Sequence, residues 1–366
     1  MINPEITQKA QKIKGRGVLE NPAGRFERLS TAVELEALET ARHDEDWQDE
    51  KQIRTEILRD TSRTIISTND SPDVGMGTTL NAYRGCEHGC IYCYARPTHE
   101  FFGLSAGLDF ETRIFVKPEA PQLLKEKFQS KAWQPKVIFM SGVTDCYQPL
   151  ERTVKLTRGC LEVMAAFRNP VSIVTKNFLV TRDMDLLSEL AAHQAVSVNI
   201  SITTLDSGLA RVMEPRTSQP ARRLAAIEML AKANIPVNAM LGPVLPGLTE
   251  HEIPAILKSA ADAGAHSAYY NVLRLPHGVK DLFQSWLREH YPERADKILN
   301  RIRAMRDGKL NDANFGTRMH GKGIYADQIE QIFKHYRARY NLLRRTPLST
   351  AAFNRDAMSL QMQLPF

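Results

Sequence analysis

Cysteine is scarce in this sequence: there are five in 366 residues, and three of them lie within the eight residues Cys86–Cys93. A disulfide-stabilised secreted domain needs cysteines spread in pairs, so this distribution excludes that class. Long hydrophobic runs are also missing, since no stretch of about 18 apolar residues occurs and the mean hydropathy is -0.34. The N-terminus, MINPEITQKAQKIKGRG, has no apolar core typical of a secretory signal. These absences predict a cytoplasmic protein, in which clustered thiols serve metal binding or catalysis.

The charge is unevenly distributed along the chain, although the net value is only +6. From residue 331 onward six bases face one acid, Asp356, which gives this tail about +5 (6 − 1). The bases are Lys334, Arg337, Arg339, Arg344, Arg345 and Arg355. The stretch 34–50, by contrast, holds eight acids and one base. A basic tail suits contacts with phosphates, but it is also typical of a solvated helix face.

Three regions are expected: a polar N-terminal extension (1–72), a core barrel (73–290) and a basic helical C-terminal extension (291–366). In the middle region, six short β-branched runs alternate with longer amphipathic runs. These strand candidates lie at 78–82, 136–140, 171–175, 196–202, 236–241 and 267–273. The alternation predicts an α/β fold with right-handed βαβ units and a parallel sheet. Sequential order favours a partial (β/α)6 TIM-like barrel over a doubly wound sheet, and places the chemistry at the carboxyl ends of the strands.

The stretch YRGCEHGCIYCYARP carries Cys86, Cys90 and Cys93 directly after the first strand candidate. Zinc is usually held by four ligands, so a zinc site here would need a fourth from His88, His99 or a distant residue. An iron–sulfur cube normally takes four cysteines. A loop that supplies only three leaves one iron open for a ligand from outside the protein. Such an open position indicates a reactive site and not a structural one.

The C-x3-C-x2-C spacing, with Tyr92 just before the third cysteine, resembles the signature of the radical S-adenosylmethionine (radical SAM) superfamily. The resemblance implies a [4Fe-4S] cluster held by Cys86, Cys90 and Cys93, with S-adenosylmethionine (SAM) on the fourth iron. It implies that the reduced cluster cleaves SAM to methionine and a 5′-deoxyadenosyl radical, which abstracts hydrogen from a substrate. The fold it implies is a partial (β/α)6 barrel, which agrees with the six strand candidates.

Further stretches resemble the spore photoproduct lyase-related branch of that superfamily. They are CIYCYA (90–95), SIVTKNFLVTRDMDLL (172–187) and the long stretch at 198–237. In that branch, a lysine after the third strand contacts the SAM carboxylate and a serine at the end of the fourth contacts SAM. These roles fall on Lys176 and Ser201, with Thr203 two residues on. A solvated lysine and an ordinary strand serine are the alternatives.

The segment SGVTDCYQPLE follows the second strand candidate, where the superfamily often places small residues and an acid that hold the SAM amino group. Ser141, Gly142 and Asp145 match that pattern, and the alternative for Asp145 is to cap the next helix. Arg216, in the stretch MEPR, is expected near SAM or substrate, or else on the surface.

One departure from the lyase pattern concerns the hydrogen donor. Spore photoproduct lyase uses a cysteine near the end of the second strand, and that position is Gly142 here. Cys146 is the remaining candidate donor, or else a half-buried free thiol. Tyr92 and Tyr94 match tyrosines that flank the last cysteine in that enzyme, where they would relay a hydrogen atom or pack on the cluster. The missing cysteine argues against thymine-dimer repair.

We therefore expect a cytoplasmic radical SAM enzyme, lyase-like or modifying, with reduced flavodoxin or ferredoxin as its electron donor. Its substrate is not named by the sequence: the basic tail and the lyase-like core favour a nucleic acid, and a small molecule or a peptide stays open. The alternative from another class is a zinc-stabilised nucleic-acid-binding module without radical chemistry.

Overall fold

A computed structural model describes residues 15–18, 20–26, 53–73, 75, 77–344 and 347–357. The acidic stretch at 34–50, Arg345 of the basic tail and the last residues, 358–366, lie outside the described residues.

Ten strands in the described ranges form two sheets. In chain order they are β1 (Glu56–Arg59), β2 (Ile66–Thr68), β3 (Thr78–Leu80), β4 (Tyr83–Arg84), β5 (Arg113–Val116), β6 (Ile138–Met140), β7 (Val171–Thr175), β8 (Val196–Ser201), β9 (Val237–Val244) and β10 (Ser267–Val272). The larger sheet has the order β10-β9-β8-β7-β6-β3-β2, and only the β2–β3 pair is antiparallel. Its six parallel strands overlap the six strand candidates. Their order never reverses, which confirms the partial (β/α)6 barrel over a doubly wound sheet.

The same ranges contain eleven α-helices. They are α1 (Leu108–Thr112), α2 (Ala120–Gln129), α3 (Glu151–Val154), α4 (Leu156–Phe167), α5 (Met184–Ala192), α6 (Ser207–Met213), α7 (Pro220–Lys232), α8 (Ile253–Asp262), α9 (Val279–His290), α10 (Ala295–Ala304) and α11 (Ile324–Arg339). Short 3₁₀ helices lie at Arg96–Phe102, Phe178–Asp183, Glu250–Glu252 and Pro292–Arg294. The longest helix, α11, has 16 residues, and none of those described is long and apolar enough to cross a membrane.

Helix α4 shows how the helices are held against the sheet. Its residues Cys160, Met164 and Phe167 recur at the spacing of one helix face and are fully buried. They belong to the same apolar core as Ile173 of β7. The helix ends at Arg168, whose main chain is left-handed (φ 54°). The chain can therefore turn back and enter β7 beside β6.

A ladder of polar side chains crosses four neighbouring strands, β7 to β10. The side-chain amide of Asn199 donates to the hydroxyl of Ser172 (3.1 Å), and the side-chain amide of Asn238 donates to the side-chain oxygen of Asn199 (3.1 Å). The hydroxyl of Ser267 donates to the side-chain oxygen of Asn238 (2.9 Å). A one-residue slip would turn these polar groups to the opposite, apolar face, so the ladder stabilises one strand register.

The smaller sheet has the order β1-β5-β4 and brings residues 53–73 against the strand that precedes the cysteines. Asp60 follows β1 and pairs with Arg84 of β4 (2.7 Å) and with Lys117 (3.5 Å). This contact joins part of the polar N-terminal extension to the core. The division of the chain at residues 72 and 290 stays a prediction.

Two arginines of the basic tail bind the fold itself. The guanidinium of Arg355 donates to the carbonyls of Phe128 (3.1 Å) and Trp133 (2.8 Å). Arg337 donates to the carbonyl of Leu342 (3.0 Å), a residue of the main apolar core. These two side chains therefore have a structural use that needs no phosphate.

Candidate active site

The three cysteines lie in the loop between β4 and the 3₁₀ helix Arg96–Phe102. Cys86 and Cys90 are buried, Cys93 is partly buried, and all three are free thiols. The N–H of Cys86 donates to the carbonyl of Phe110 (2.9 Å), which anchors the start of the loop. Because the loop follows the first parallel strand, it lies at the carboxyl end of the barrel, where the chemistry of such folds is found.

Arg96, which the sequence analysis did not identify, holds this loop from inside. Its side chain is fully buried. It donates to the carbonyls of Cys90 (3.0 Å) and Gly107 (3.0 Å) and pairs with the buried carboxylate of Glu111 (2.5 Å). Burial raises the pKa of Glu111, although Arg96 acts in the opposite direction. The ion pair and its hydrogen bonds fix the backbone that carries the second cysteine.

An N-terminal strap, residues 15–18, packs on the same loop. The N–H of Gly17 donates to the second oxygen of Glu111 (2.9 Å), and Arg16 donates to the main-chain carbonyl of Glu111 (2.7 Å). Val18 is buried in the same apolar cluster as Cys90 and Tyr92. The strap therefore covers the cysteine loop, a contact between residues about 70 positions apart that no sequence pattern predicted.

Tyr92 is buried, and its hydroxyl donates to the carboxylate of Glu214. The same carboxylate accepts from the hydroxyl of Thr203 (2.7 Å) and forms an ion pair with fully buried Arg223. Burial alone would raise the pKa of Glu214, but Arg223 and Lys176 hold it below its usual range. Glu214 therefore stays ionised beside the cysteine loop. Its neighbour in sequence, Arg216, was identified from the stretch MEPR, and Glu214 was not.

Lys176 lies at the end of β7 and faces the cysteine loop. Its ammonium nitrogen is 5.8 Å from the centre of the Tyr92 ring. Burial raises the pKa of Cys90 and of Cys93, and the positive charge of Lys176 opposes that rise at both thiols. Lys176 is therefore a cation placed where it stabilises thiolates and other anions at the loop.

Asp145 uses both of its oxygens within the protein. One accepts from the hydroxyl of Thr175 (2.7 Å) and from the N–H of Tyr147 (2.9 Å). The other accepts from the N–H of Lys176 (2.9 Å) and lies 3.3 Å from Nδ1 of His88. Burial opposes ionisation of Asp145, but His88 together with the hydrogen bonds from Lys176 and Thr175 lowers the pKa of Asp145 to about 2. Asp145 thus joins the cysteine loop, through His88, to the backbone of Lys176.

The segment after β6 contacts Tyr94, the residue that follows the third cysteine. Ser141 is left-handed (φ 79°) and its hydroxyl accepts from the N–H of Cys146 (3.0 Å). The side chain of Asn81 accepts from the N–H of Gly142 (3.0 Å), and the carbonyl of Gly142 accepts from the hydroxyl of Tyr94 (2.7 Å). Tyr94 is 47% exposed, so it faces solvent at the edge of the site.

Of three other predicted residues, Arg216 contacts the cysteine loop, because its partners Glu87 and His88 lie between Cys86 and Cys90. Ser201 is buried and donates to the carbonyl of Gly242 (3.0 Å). Arg216 pairs with the buried carboxylate of Glu87 (3.1 Å). Cys146 is buried in the main apolar core, and burial raises its pKa well above the usual range. The structure thus gathers Tyr92, Lys176, Thr203 and Arg216 around the cysteine loop, and places Cys146 in a different cluster.

The donor set fits an iron–sulfur cluster. Among the described residues, no group of three His, Cys, Asp or Glu side chains is arranged to hold a metal ion. The three cysteines nevertheless share one buried loop, and Cys86 is close enough for its charge to raise the pKa of both Cys90 and Cys93. A cluster of four irons spreads its thiolate ligands more widely than one ion does. Cys86, Cys90 and Cys93 are the residues that would hold it.

Comparison with known proteins identifies the family of the central region. The family model described as the Radical SAM superfamily matches residues 80–260. An uncharacterized protein of Mycobacterium tuberculosis is 36% identical over 217 residues, which cover 59% of this chain and 64% of that protein, less than two thirds of its length. An uncharacterized protein of Methanocaldococcus jannaschii is 28% identical over 248 residues, 68% of this chain and 88% of that protein.

Among solved structures, the fold is similar to that of spore photoproduct lyase complexed with dinucleoside spore photoproduct. The TM-score is 0.56, the identity is 17%, and the superposition covers 78% of this chain and 79% of that one. At this identity the similarity concerns the fold, and it agrees with the partial barrel described above.

Proposed function

Residues 80–260 of this chain belong to the radical SAM superfamily, and on that premise we propose that the protein cleaves SAM reductively and abstracts hydrogen from a substrate. Membership confirms the predicted enzyme class and its cofactors, a [4Fe-4S] cluster and SAM. When bound, these cofactors supply an electron and the 5′-deoxyadenosyl group that becomes the radical. The observation that carries the proposal is the position of Lys176 at the end of β7. There its positive charge opposes the rise in the pKa of Cys90 and of Cys93.

Cys86, Cys90 and Cys93 would hold three irons, and the fourth would be open to SAM. Thiolates are the ligands that such clusters take. Burial disfavours the charged form of a free thiol here, and Lys176 and the cluster's own positive irons would offset that cost.

Lys176 would bind the carboxylate of SAM, because its ammonium nitrogen lies 5.8 Å from the centre of the Tyr92 ring and its positive charge opposes the rise in pKa at Cys90 and Cys93. Asp145 has no free oxygen for the SAM amino group, since four protein groups surround it. We therefore assign Asp145 a positioning role: it fixes the backbone of Lys176 against His88. Ser141 and Gly142 stay candidates for contacts with SAM, and Glu214 joins them as the ionised carboxylate of the site.

Tyr92 and Tyr94 would have different tasks. The hydroxyl of Tyr92 is bound to Glu214 inside the protein, so Tyr92 would support the cofactor pocket. Tyr94 is exposed and its ring lies 5.9 Å from the guanidinium of Arg274. Tyr94 would therefore face the substrate. Cys146 sits in the apolar core, which supports a structural use of that thiol more than a donor role.

The substrate would carry phosphate, and a nucleic acid is the class we propose. Arg274, at the end of β10, has a buried Nε without a hydrogen-bond partner among the described residues. Burial and the nearby charge of Arg318 lower the pKa of Arg274. Arg318 already pairs with Asp73 (2.7 Å), so Arg274 is the guanidinium group that a phosphate would bind. The tail arginines Arg337 and Arg355 offer less support, because they bind backbone carbonyls.

The protein would act in the cytoplasm, with reduced flavodoxin or ferredoxin as the electron donor. All five cysteines are free thiols, which suits a reducing compartment.

The test is anaerobic reconstitution with iron and sulfide followed by reduction with dithionite in the presence of SAM. We expect about four irons per chain, brown colour with absorption at about 400 nm, and formation of 5′-deoxyadenosine. Cys93→Ala should lose iron and colour, whereas Cys160→Ala, in the core, should keep both. A colourless protein that binds zinc, or a reduced, iron-loaded protein that forms no 5′-deoxyadenosine, would overturn the proposal.

A further inference from the structure

Three phenylalanine rings are exposed together near the cysteine loop. Phe26, Phe101 and Phe102 are 58%, 70% and 42% exposed. The rings of Phe26 and Phe101 stack with centres 5.3 Å apart, and they border a shallow surface depression. Two arginines lie over the outer rings: Arg25 over Phe26 (5.0 Å) and Arg84 over Phe102 (5.1 Å). We call these five residues the Phe101 face.

The charge that the Phe101 face presents to solvent is positive, although its arginines have acidic partners. Arg25 pairs with Glu100 and Arg84 pairs with Asp60. The side chains of Glu100 and Asp60 are only 3% and 11% exposed, whereas those of Arg25 and Arg84 are 32% and 38% exposed. A molecule that approaches from solvent therefore meets guanidinium groups and aromatic rings. This combination suits an acidic protein surface with an apolar centre.

A chain of ring contacts joins the Phe101 face to the cysteine loop. Phe110 belongs to the same buried cluster as Cys86, and its carbonyl accepts from the N–H of Cys86 (2.9 Å). The His99 ring lies 5.2 Å from the ring of Phe110 and 6.4 Å from that of Phe102. Two ring contacts, Phe102 with His99 and His99 with Phe110, thus connect the Phe101 face to the residue that packs on Cys86. This approach to the loop is separate from the one through Tyr94, which the substrate would use.

We propose that the Phe101 face docks the protein that reduces the cluster: a small, acidic one-electron carrier whose redox cofactor lies near its surface. The inference rests on the proposed function, because only a cluster at Cys86, Cys90 and Cys93 needs this electron. One electron leaves the carrier, which is oxidised, and enters the cluster, which is reduced by one electron. No bond forms or breaks, and no proton is required. The face orients the carrier and holds its redox cofactor at a short distance from the cluster.

The experiment uses reconstituted, cluster-loaded protein and flavodoxin as the probe. Binding of oxidised flavodoxin is measured by calorimetry, and the loss of cluster absorption on mixing with fully reduced flavodoxin is followed by stopped flow. The same variants are then reduced with dithionite, which needs no docking face. The variants are Phe101→Asp, which places a like charge against an acidic partner, and Arg84→Gln. The matched control is Ile324→Asp, at an exposed apolar residue (79%) at the start of α11.

We expect Phe101→Asp to weaken flavodoxin binding and slow cluster reduction by about tenfold, as loss of a central aromatic does at protein interfaces. Arg84→Gln should slow reduction mainly at low salt. Ile324→Asp should behave as the unchanged protein, and dithionite should reduce all of them equally. Equal rates with flavodoxin in all variants would overturn the docking inference and leave the proposed function standing, whereas failure of dithionite to support SAM cleavage would overturn the function.

Two other outcomes, in which the Phe101 face binds a different partner, would also contradict the inference. If Phe101→Asp weakens binding of a single-stranded oligonucleotide and leaves flavodoxin reduction unchanged, the face is a stacking surface for nucleic acid. If the unchanged protein is a dimer and Phe101→Asp is a monomer that accepts electrons at the original rate, the face joins two copies of the chain.

Discussion

A Cβ atom on Gly17 would lie 1.7 Å from the carbonyl oxygen of Gly89. The N-terminal strap and the cysteine loop therefore approach each other more closely than any other residue at position 17 allows. The contact makes the strap part of the wall of the candidate site, although about 70 residues separate the two in sequence.

Gly17→Ala should separate the strap from the cysteine loop. We expect the free energy of unfolding of the apoprotein to fall by about 1–3 kcal/mol, the usual cost of overpacking, and the iron content after reconstitution to fall with it. Urea unfolding and iron analysis measure both. Gly278→Ala is the control, because nothing lies within 4 Å of a Cβ there. Full iron content in Gly17→Ala would show that the strap is dispensable for the loop.

Arg96→Ala should be more damaging, because it leaves Glu111 as a buried charge without its ion-pair partner. Breaking one side of a buried ion pair costs about 3–5 kcal/mol, and the carbonyls of Cys90 and Gly107 lose their donor as well. The double variant Arg96→Leu with Glu111→Leu removes both charges, and should recover part of the stability without recovering iron binding. Urea unfolding and iron content separate these effects. A single variant of normal stability would contradict the structural role of Arg96.

The ion pair between Asp60 and Arg84 predicts a pH dependence. Burial opposes ionisation of Asp60, but hydrogen bonds from Ser62 and Arg84 lower its pKa to about 2. Because this value is below the ordinary value of 3.8, the contribution to stability is present above about pH 4 and is lost as the pH falls towards 2. Asp60→Asn should thus cost about 1 kcal/mol at pH 7, after allowance for solvent screening at Arg84, and progressively less below pH 4.

Urea unfolding from pH 7 to pH 3 measures this difference. Asp262→Asn serves as the control, since Asp262 is exposed and its ion pair is with Lys258, one turn away. A difference between Asp60→Asn and the unchanged protein that stays constant with pH would contradict the assignment.

The fold was predictable because its pattern is local. Each of the six strands is a short β-branched run followed by an amphipathic helix, and the strand order follows the chain. The strands of the smaller sheet were missed, because β1 and β5 are four residues each and pair with strands distant in the sequence. Their partners are selected by tertiary packing, which periodicity does not report.

The candidate site was predictable only where its residues lie close together in the sequence at a characteristic spacing. The cysteines are three and four residues apart, so their shared loop follows from the sequence. Glu214 contacts Tyr92, which is 122 positions away, and Arg223, and no local pattern marks such a contact. Asp145 was expected to bind SAM because of its motif, and the hydrogen bonds that occupy its oxygens are visible only in three dimensions.

Lys176→Ala should weaken binding of SAM to the reconstituted protein by about tenfold or more, since a charge-assisted hydrogen bond is worth about 1.5–3 kcal/mol. Iron content should not change, because Lys176 is not a ligand of the cluster. Equilibrium dialysis with labelled SAM measures the affinity. Lys232→Ala is the control, at an exposed lysine paired with Glu228. Unchanged affinity in Lys176→Ala would show that another group binds the SAM carboxylate.

Tyr92→Phe and Tyr94→Phe should have different effects on the formation of 5′-deoxyadenosine from SAM. Tyr92→Phe removes one of the hydrogen bonds to the buried carboxylate of Glu214, and a hydrogen bond to a charged group contributes about 1.5–3 kcal/mol. It should therefore slow formation of 5′-deoxyadenosine from SAM even without substrate. Tyr94→Phe loses one hydrogen bond at the exposed edge of the site, so it should form 5′-deoxyadenosine at the original rate. A Tyr94→Phe variant that is slower in this substrate-free reaction than Tyr92→Phe would reverse the assignment, and place Tyr94 at the cofactor and Tyr92 outside it.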